Sequence, residues 1–163
     1  GLTGGMLPLA ATLATEEIFS SFLSEDAGDA FLHGHSYTAN PLACAVALES
    51  LRVFKEDNTP LKLDSIGGVI ENRLEGLKGE PWVKDVRRLG GIVAVELASE
   101  DPGYQAGLGG RLKNQADQHD VLLRPLGNVL YAVPPSCTTD EESRQIADAM
   151  EATCRATVLP LRT

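Results

Sequence analysis

Positive charge is scarce in this sequence. Fourteen Lys and Arg stand against 23 Asp and Glu, a net charge of -9 with a pI near 4.7. Nucleic-acid binding leaves a basic footprint, and none is visible. Cysteine is scarce too: Cys44, Cys137 and Cys154 are odd in number and never stand at CxxC spacing. That pattern argues against a disulfide framework and a zinc site, and favours a reducing compartment such as the cytoplasm. Long apolar runs are missing. The longest, Met6 to Ala14, is broken by Pro8 and Thr12, far short of the about 20 residues that span a bilayer. GxSxG, HExxH and phosphate-loop signatures are absent as well.

What is present is an ordinary globular composition, 43 % hydrophobic and 23 % charged over 163 residues, enough to bury a core without staples. The chain opens Gly1-Leu2-Thr3-Gly4-Gly5, with neither an initiator Met nor a signal-like start. Met6 to Ala14 suits a short buried strand. Thr15 can cap a helix running from Glu16 to about Leu23. Asn40-Pro41 is a helix start, with Asn as N-cap and Pro in the first turn. That helix is apolar all round from Leu42 to Leu48, which suits burial, and ends near Asp57. Thr59-Pro60 opens the next helix in the same way, with a stripe of Leu63, Ile66, Ile70, Leu74 and Leu77.

Val83 to Leu89 and Ile92 to Leu97 read as strands about Gly90-Gly91. A glycine-weakened helix covers about Tyr104 to His119, with Tyr104, Leu108, Leu112 and Ala116 on one face. Val121 to Arg124 and Val129 to Val133 are short strands joined by Pro125 to Asn128. Thr139 and Glu142 form a capping box for a last helix, whose face is Ile146, Met150, Thr153 and Thr157. The pattern is α/β in front and α+β behind, with a boundary near Asn58 and a two-layer unit after it.

Three places could carry chemistry. The loop from Phe31 to Asn40 lies before a helix N-terminus, where free N–H groups attract anions. Ser36 and Thr38 can donate to phosphate oxygens, and Gly34 lets a ligand approach the backbone. A capped loop with solvated histidines explains the same residues, and His33 with His35 lacks further ligands for a metal. Arg124, between the apolar Leu123 and Pro125, is expected to end a buried strand and there needs an anion: a substrate carboxylate or a structural ion pair. Tyr131 shares a face with Val129 and Val133 and is a candidate, although that pattern reads first as a core tyrosine with a satisfied hydroxyl. Cys44, on the apolar helix, reads as inert.

In order, Leu-Thr-Gly-Gly (Leu2 to Gly5), a short apolar segment and His-Gly-His-Ser-Tyr-Thr-Ala-Asn-Pro-Leu-Ala-Cys-Ala (His33 to Ala45) resemble the class III pyridoxal-phosphate aminotransferases. Leu-Arg-Pro-Leu-Gly (Leu123 to Gly127) and Leu-Tyr-Ala-Val-Pro-Pro (Leu130 to Pro135) narrow the resemblance. They point to the branch that aminates 8-amino-7-oxononanoate in biotin synthesis, usually with S-adenosylmethionine as donor.

The resemblance implies a fold-type I α/β homodimer with its active site shared between subunits. Residues 1–58 would be the end of the cofactor-binding large domain, and 59–163 the small C-terminal α+β domain. His35, through its backbone, and Ser36 would contact the cofactor phosphate of the partner subunit. Gly34, Arg124 and Tyr131 would line the substrate, with Arg124 on its carboxylate. Ser36 stands where the family usually has Thr, and His35 where some members have Pro.

The Schiff-base lysine of the family would stand immediately before Gly1, and the aspartate that pairs with the pyridine nitrogen further upstream. The chain alone is therefore expected to be inactive. Without sheet neighbours, its front part should expose Met6 to Leu13 and Leu42 to Leu48 and tend to aggregate. Another ω-amino-acid substrate, or a non-catalytic α+β binding module, remains an alternative.

Overall fold

The computed structural model describes residues 1–99 and 107–158. The chain divides into two compact units, Gly1–Asp57 and Asn58–Thr163.

The first unit is built from α1 (Glu16–Ser20), α2 (Pro41–Glu56) and a 3-10 turn at Ala27–Asp29. Both α-helices start as the sequence dictates. The Thr15 hydroxyl accepts from the Ile18 N–H at 3.3 Å, and Asn40 Oδ1 accepts from the Leu42 N–H at 3.0 Å. The strand expected over Met6–Ala14 does not form. Pro8 offers no N–H, a lone strand has no ladder to join, and the four strands among the described residues all lie in the second unit. Met6 and Leu13 are consequently exposed. The expected burial of α2 is met by Ala43 and Ala47, whereas Leu42 and Leu48 are about seven-tenths exposed, at 71 % and 70 %. The apolar surface anticipated on these two segments is present.

In the second unit, β1 (Val83–Leu89), β2 (Ile92–Leu97), β3 (Arg124–Leu126) and β4 (Val129–Ala132) make an antiparallel sheet in the order β1-β2-β4-β3. One face carries Val86, Val93, Val95, Leu97, Leu130 and Ala132. It shares a single core with α3 (Thr59–Leu74), α4 (Gly107–Ala116) and α5 (Asp140–Val158). Ile66, Ile70 and Leu74 supply the α3 stripe, and Leu77 follows in a 3-10 turn. Asn58, in the left-handed region, precedes α3, so Thr59 is already helical and makes no cap. Of the helix expected over 104–119, Gly107–Ala116 forms, with Leu108, Leu112 and Ala116 buried. Tyr104 lies outside the described residues.

The capping box of α5 is closed from both sides. The Thr139 N–H donates to Glu142 Oε2 at 2.7 Å, and the Glu142 N–H donates to Thr139 Oγ1 at 3.2 Å. On the inner face, the Ser143 hydroxyl donates to the Thr139 carbonyl, and the Thr157 hydroxyl to that of Thr153. Ser143 and Thr157 thereby satisfy themselves locally, whereas the buried Thr153 hydroxyl has no partner among the described residues.

Both hairpins turn in two residues. Gly90 (φ +55°) and Gly127 (φ +60°) each occupy the first turn position, where a positive φ matches the twist of the paired strands. This moves the third strand from the expected Val121–Arg124 to Arg124–Leu126. Pro125 thus falls inside it, which an edge strand tolerates. Asn128 locks the second hairpin: its Nδ2 donates to the Leu97 carbonyl at 2.7 Å, and its own carbonyl accepts from the Leu97 N–H at 2.9 Å. Each turn carbonyl is approached by a helix glycine. A Cβ on Gly67 would stand 2.0 Å from Gly90 O, and one on Gly109 would stand 3.0 Å from Gly127 O.

Candidate active site

Gly34, His35 and Ser36 belong to the first unit, Arg124 and Tyr131 to the second. The loop before α2 is folded by its own side chains. The His35 N–H donates to Thr38 Oγ1 at 3.1 Å, the Tyr37 N–H to His35 Nδ1 at 3.1 Å, and the Thr38 N–H to the His35 carbonyl at 3.0 Å. These bonds take up the His35 N–H, the backbone donor that the resemblance offered to the cofactor phosphate, while the Thr38 hydroxyl accepts there and keeps its hydrogen. Ser36, at the exposed tip, keeps both its N–H and its hydroxyl uncommitted among the described residues. Gly34 is exposed, and a Cβ there would meet only Thr38 Oγ1, in ordinary contact at 3.9 Å. The helix end itself gives little to an anion, since Pro41 has no N–H and Asn40 takes that of Leu42.

In the second unit a cleft of about 890 Å³ opens beside edge strand β3. Arg124, Tyr131, Lys113 and the wall Val133, Pro134 and Pro135 line it. The sequence placed Arg124 at the end of a buried strand. It instead opens β3 and is exposed, because the strand begins three residues later than expected. Its register partner is Tyr131, so both side chains leave the same face of the sheet. That is the face opposite the helices, since Leu130 and Ala132 flank Tyr131 in the core. Tyr131 is half-buried rather than a core residue, and its hydroxyl has no bond among the described residues.

Arg124 also has no acid partner among the described residues. Arg52, Arg73, Arg87, Arg88, Arg144 and Arg155 each pair with a carboxylate. Among the described residues only Arg111 and Arg124 of the arginines do not. The structural ion pair considered for Arg124 is therefore not formed with any described residue.

Glu96 was missed by the sequence reading, although strict alternation in Val93-Ala94-Val95-Glu96 could have placed it on the Tyr131 face. Lys84 Nζ at 2.6 Å and Arg87 Nη1 at 2.7 Å hold its carboxylate and keep it below the usual carboxylate range. Elsewhere, burial with help from the Glu151 charge pushes the Cys154 thiol up to about 12, so it is no nucleophile at neutral pH. Cys44 is half-buried. No group of three or more His, Cys, Asp or Glu side chains suited to a metal occurs among the described residues.

The sequence model for class III aminotransferases matches residues 1–154. The chain belongs to the class III aminotransferases. An adenosylmethionine-8-amino-7-oxononanoate aminotransferase of Synechococcus elongatus is 43 % identical over 153 residues, 92 % of this chain and 35 % of that protein. One of the same name from Geobacter sulfurreducens is 43 % identical over 157 residues, again 35 % of its length.

Among solved structures, the enzyme of that name from Methanocaldococcus jannaschii superposes with a TM-score of 0.80. Identity is 36 %, and the match covers 98 % of this chain and 38 % of that one. A PLP-bound amine transaminase from an uncultivated Pseudomonas species gives 0.79 at 30 % identity, covering 94 % and 36 %. The class III chain thus spans 35 % of the length of these curated relatives, and its fold is the corresponding part of fold-type I. No helix among the described residues is long and apolar enough to cross a membrane.

Proposed function

We propose that this chain serves a pyridoxal-phosphate aminotransferase that transfers an amino group to 8-amino-7-oxononanoate, giving 7,8-diaminononanoate for biotin synthesis. S-adenosylmethionine is the proposed donor. Residues 1–58 are assigned to the cofactor-binding large domain, and 59–163 to the small α+β domain. The observation that carries the reading is an arginine without an acid partner among the described residues, set opposite a tyrosine on one wall of a cleft, in a sequence 43 % identical to enzymes of that name.

The donor set suits a phosphate group. The N–H and hydroxyl of Ser36 stand free at an exposed turn, and a phosphate oxygen accepts from both. When bound, the cofactor supplies the electron sink that lets an amino group pass from donor to keto acid. Ser36 would hold its phosphate across a homodimer interface, the His35 N–H being committed to Thr38 and so shaping the turn rather than binding the phosphate, and Gly34 would border the substrate. Arg124 holds the substrate tail carboxylate through its planar fork, and Tyr131 borders the tail. Val133, Pro134 and Pro135 shield the methylenes from water. Fixing the tail sets the distance at which the keto group meets the cofactor.

The compartment is proposed to be the cytoplasm, or an organelle as in the plant relatives named mitochondrial. The test is complementation of a bacterial biotin auxotroph lacking this step, using the full-length gene that carries this sequence. Growth without biotin is expected. No growth, together with rapid transamination of simple ω-amino acids by the purified protein, would overturn the substrate assignment and favour an amine-transaminase role.

A further inference from the structure

Arg124 stays unpaired although an acid stands on its own face of the sheet. Ala94, Tyr131 and Arg124 form one row across β2, β4 and β3. Glu96, two residues along β2 from Ala94, shares that face. Ideal strand spacings put the Glu96 and Arg124 Cα atoms about 12 Å apart, within the combined reach of the two side chains. Glu96 is nevertheless turned toward β1. One carboxylate oxygen accepts from Lys84 at 2.6 Å and the other from Arg87 at 2.7 Å, and the side chain is only 15 % exposed. Asp85, 3.2 Å from Arg87, completes a group of two cations and two anions, so the cluster adds no net charge to the face.

We infer that Lys84 and Arg87 are positioning residues for the carboxylate site: they clamp Glu96 to the β1 side and so keep Arg124 open to an anionic ligand. The inference rests on the reading of Arg124 as the holder of the substrate carboxylate. A released Glu96 is an internal competitor, tethered to the same sheet and present at high effective concentration.

The test uses the full-length enzyme with Lys84→Met/Arg87→Met, that pair combined with Glu96→Gln, and Arg124→Ala as reference. The double variant should raise KM for the keto acid about two- to fivefold, the scale of an exposed ion pair, with KM for the amino donor unchanged. Adding Glu96→Gln should restore it. A purely structural role for the two cations would not be rescued by removing the acid.

If Arg124→Ala fails to raise the acceptor KM selectively, the reading of Arg124 falls and the inference falls with it. If Arg124→Ala acts as expected but the double variant leaves the acceptor KM unchanged, or Glu96→Gln does not reverse the rise, the inference alone is overturned. Should the double variant misfold, each single variant at these exposed positions should show a smaller rise, again reversed by Glu96→Gln. No rise in either overturns the inference.

Discussion

Arg124 and Tyr131 are register partners across the β3–β4 hairpin, and the two-residue turn at Gly127-Asn128 is what makes them so. A longer loop would shift the register, and a slip of one residue sends alternate side chains to the helix face. The Asn128 bonds to Leu97 pin that hairpin to β2. A buried turn amide thereby fixes where a guanidinium stands.

The first prediction concerns the arginine. Arg124→Ala in the full-length enzyme should raise KM for the keto acid by at least about tenfold, the scale of a lost charge-assisted bidentate pair. KM for the amino donor should change little. Steady-state kinetics with each substrate varied in turn will decide it, and equal effects on both would count against a tail-carboxylate role.

Ser36 is expected to act on cofactor retention. Ser36→Ala removes a hydroxyl that has no structural partner, so stability should be unchanged within about 0.5 kcal/mol. The full-length enzyme should release pyridoxal phosphate several-fold more readily, followed by absorbance after dialysis, and Ser36→Thr should retain it. Unchanged retention in Ser36→Ala would remove Ser36 from the phosphate site.

The close approach of α3 to the first hairpin gives a paired stability test. Gly67→Ala places a methyl against Gly90 O, a backbone atom that cannot swing aside. It should cost at least about 2 kcal/mol, at the severe end of overpacking. Gly68→Ala, one residue on and with open space at its Cβ, should be neutral or stabilising by up to about 1 kcal/mol through helix propensity. Urea denaturation of the two variants side by side measures the difference.

Local signals were legible: Thr15, Asn40-Pro41 and the Thr139–Glu142 box start helices as their chemistry requires. The strands about Gly90-Gly91 fall where apolar runs meet a glycine turn. Non-local choices were less so. Whether Met6–Ala14 becomes a strand depends on a partner that no local pattern reveals. The start of β3 depended on Gly127, rather than Pro125, beginning the turn. Arg124 and Tyr131 were picked out singly, but their facing positions and the Glu96 clamp needed the register.

Acid should loosen the second unit. Glu96 and Glu142 both titrate below the usual carboxylate range, Glu96 through Lys84 and Arg87, Glu142 through the Thr139 backbone and hydroxyl. A carboxyl whose folded pKa is depressed binds protons more tightly in the unfolded chain. Its stabilisation is therefore complete above the unfolded value, about 4.3 for Glu, and is lost as pH falls through the lower folded value. Stability should accordingly be flat from about pH 7 to 5.5 with respect to these two groups, and decline below about pH 5. Glu96→Gln and Glu142→Gln should each lower stability at pH 7 and flatten the decline. Urea midpoints taken from pH 7 to 3 measure this, and a decline equally steep in both variants would assign the acid sensitivity to other carboxylates.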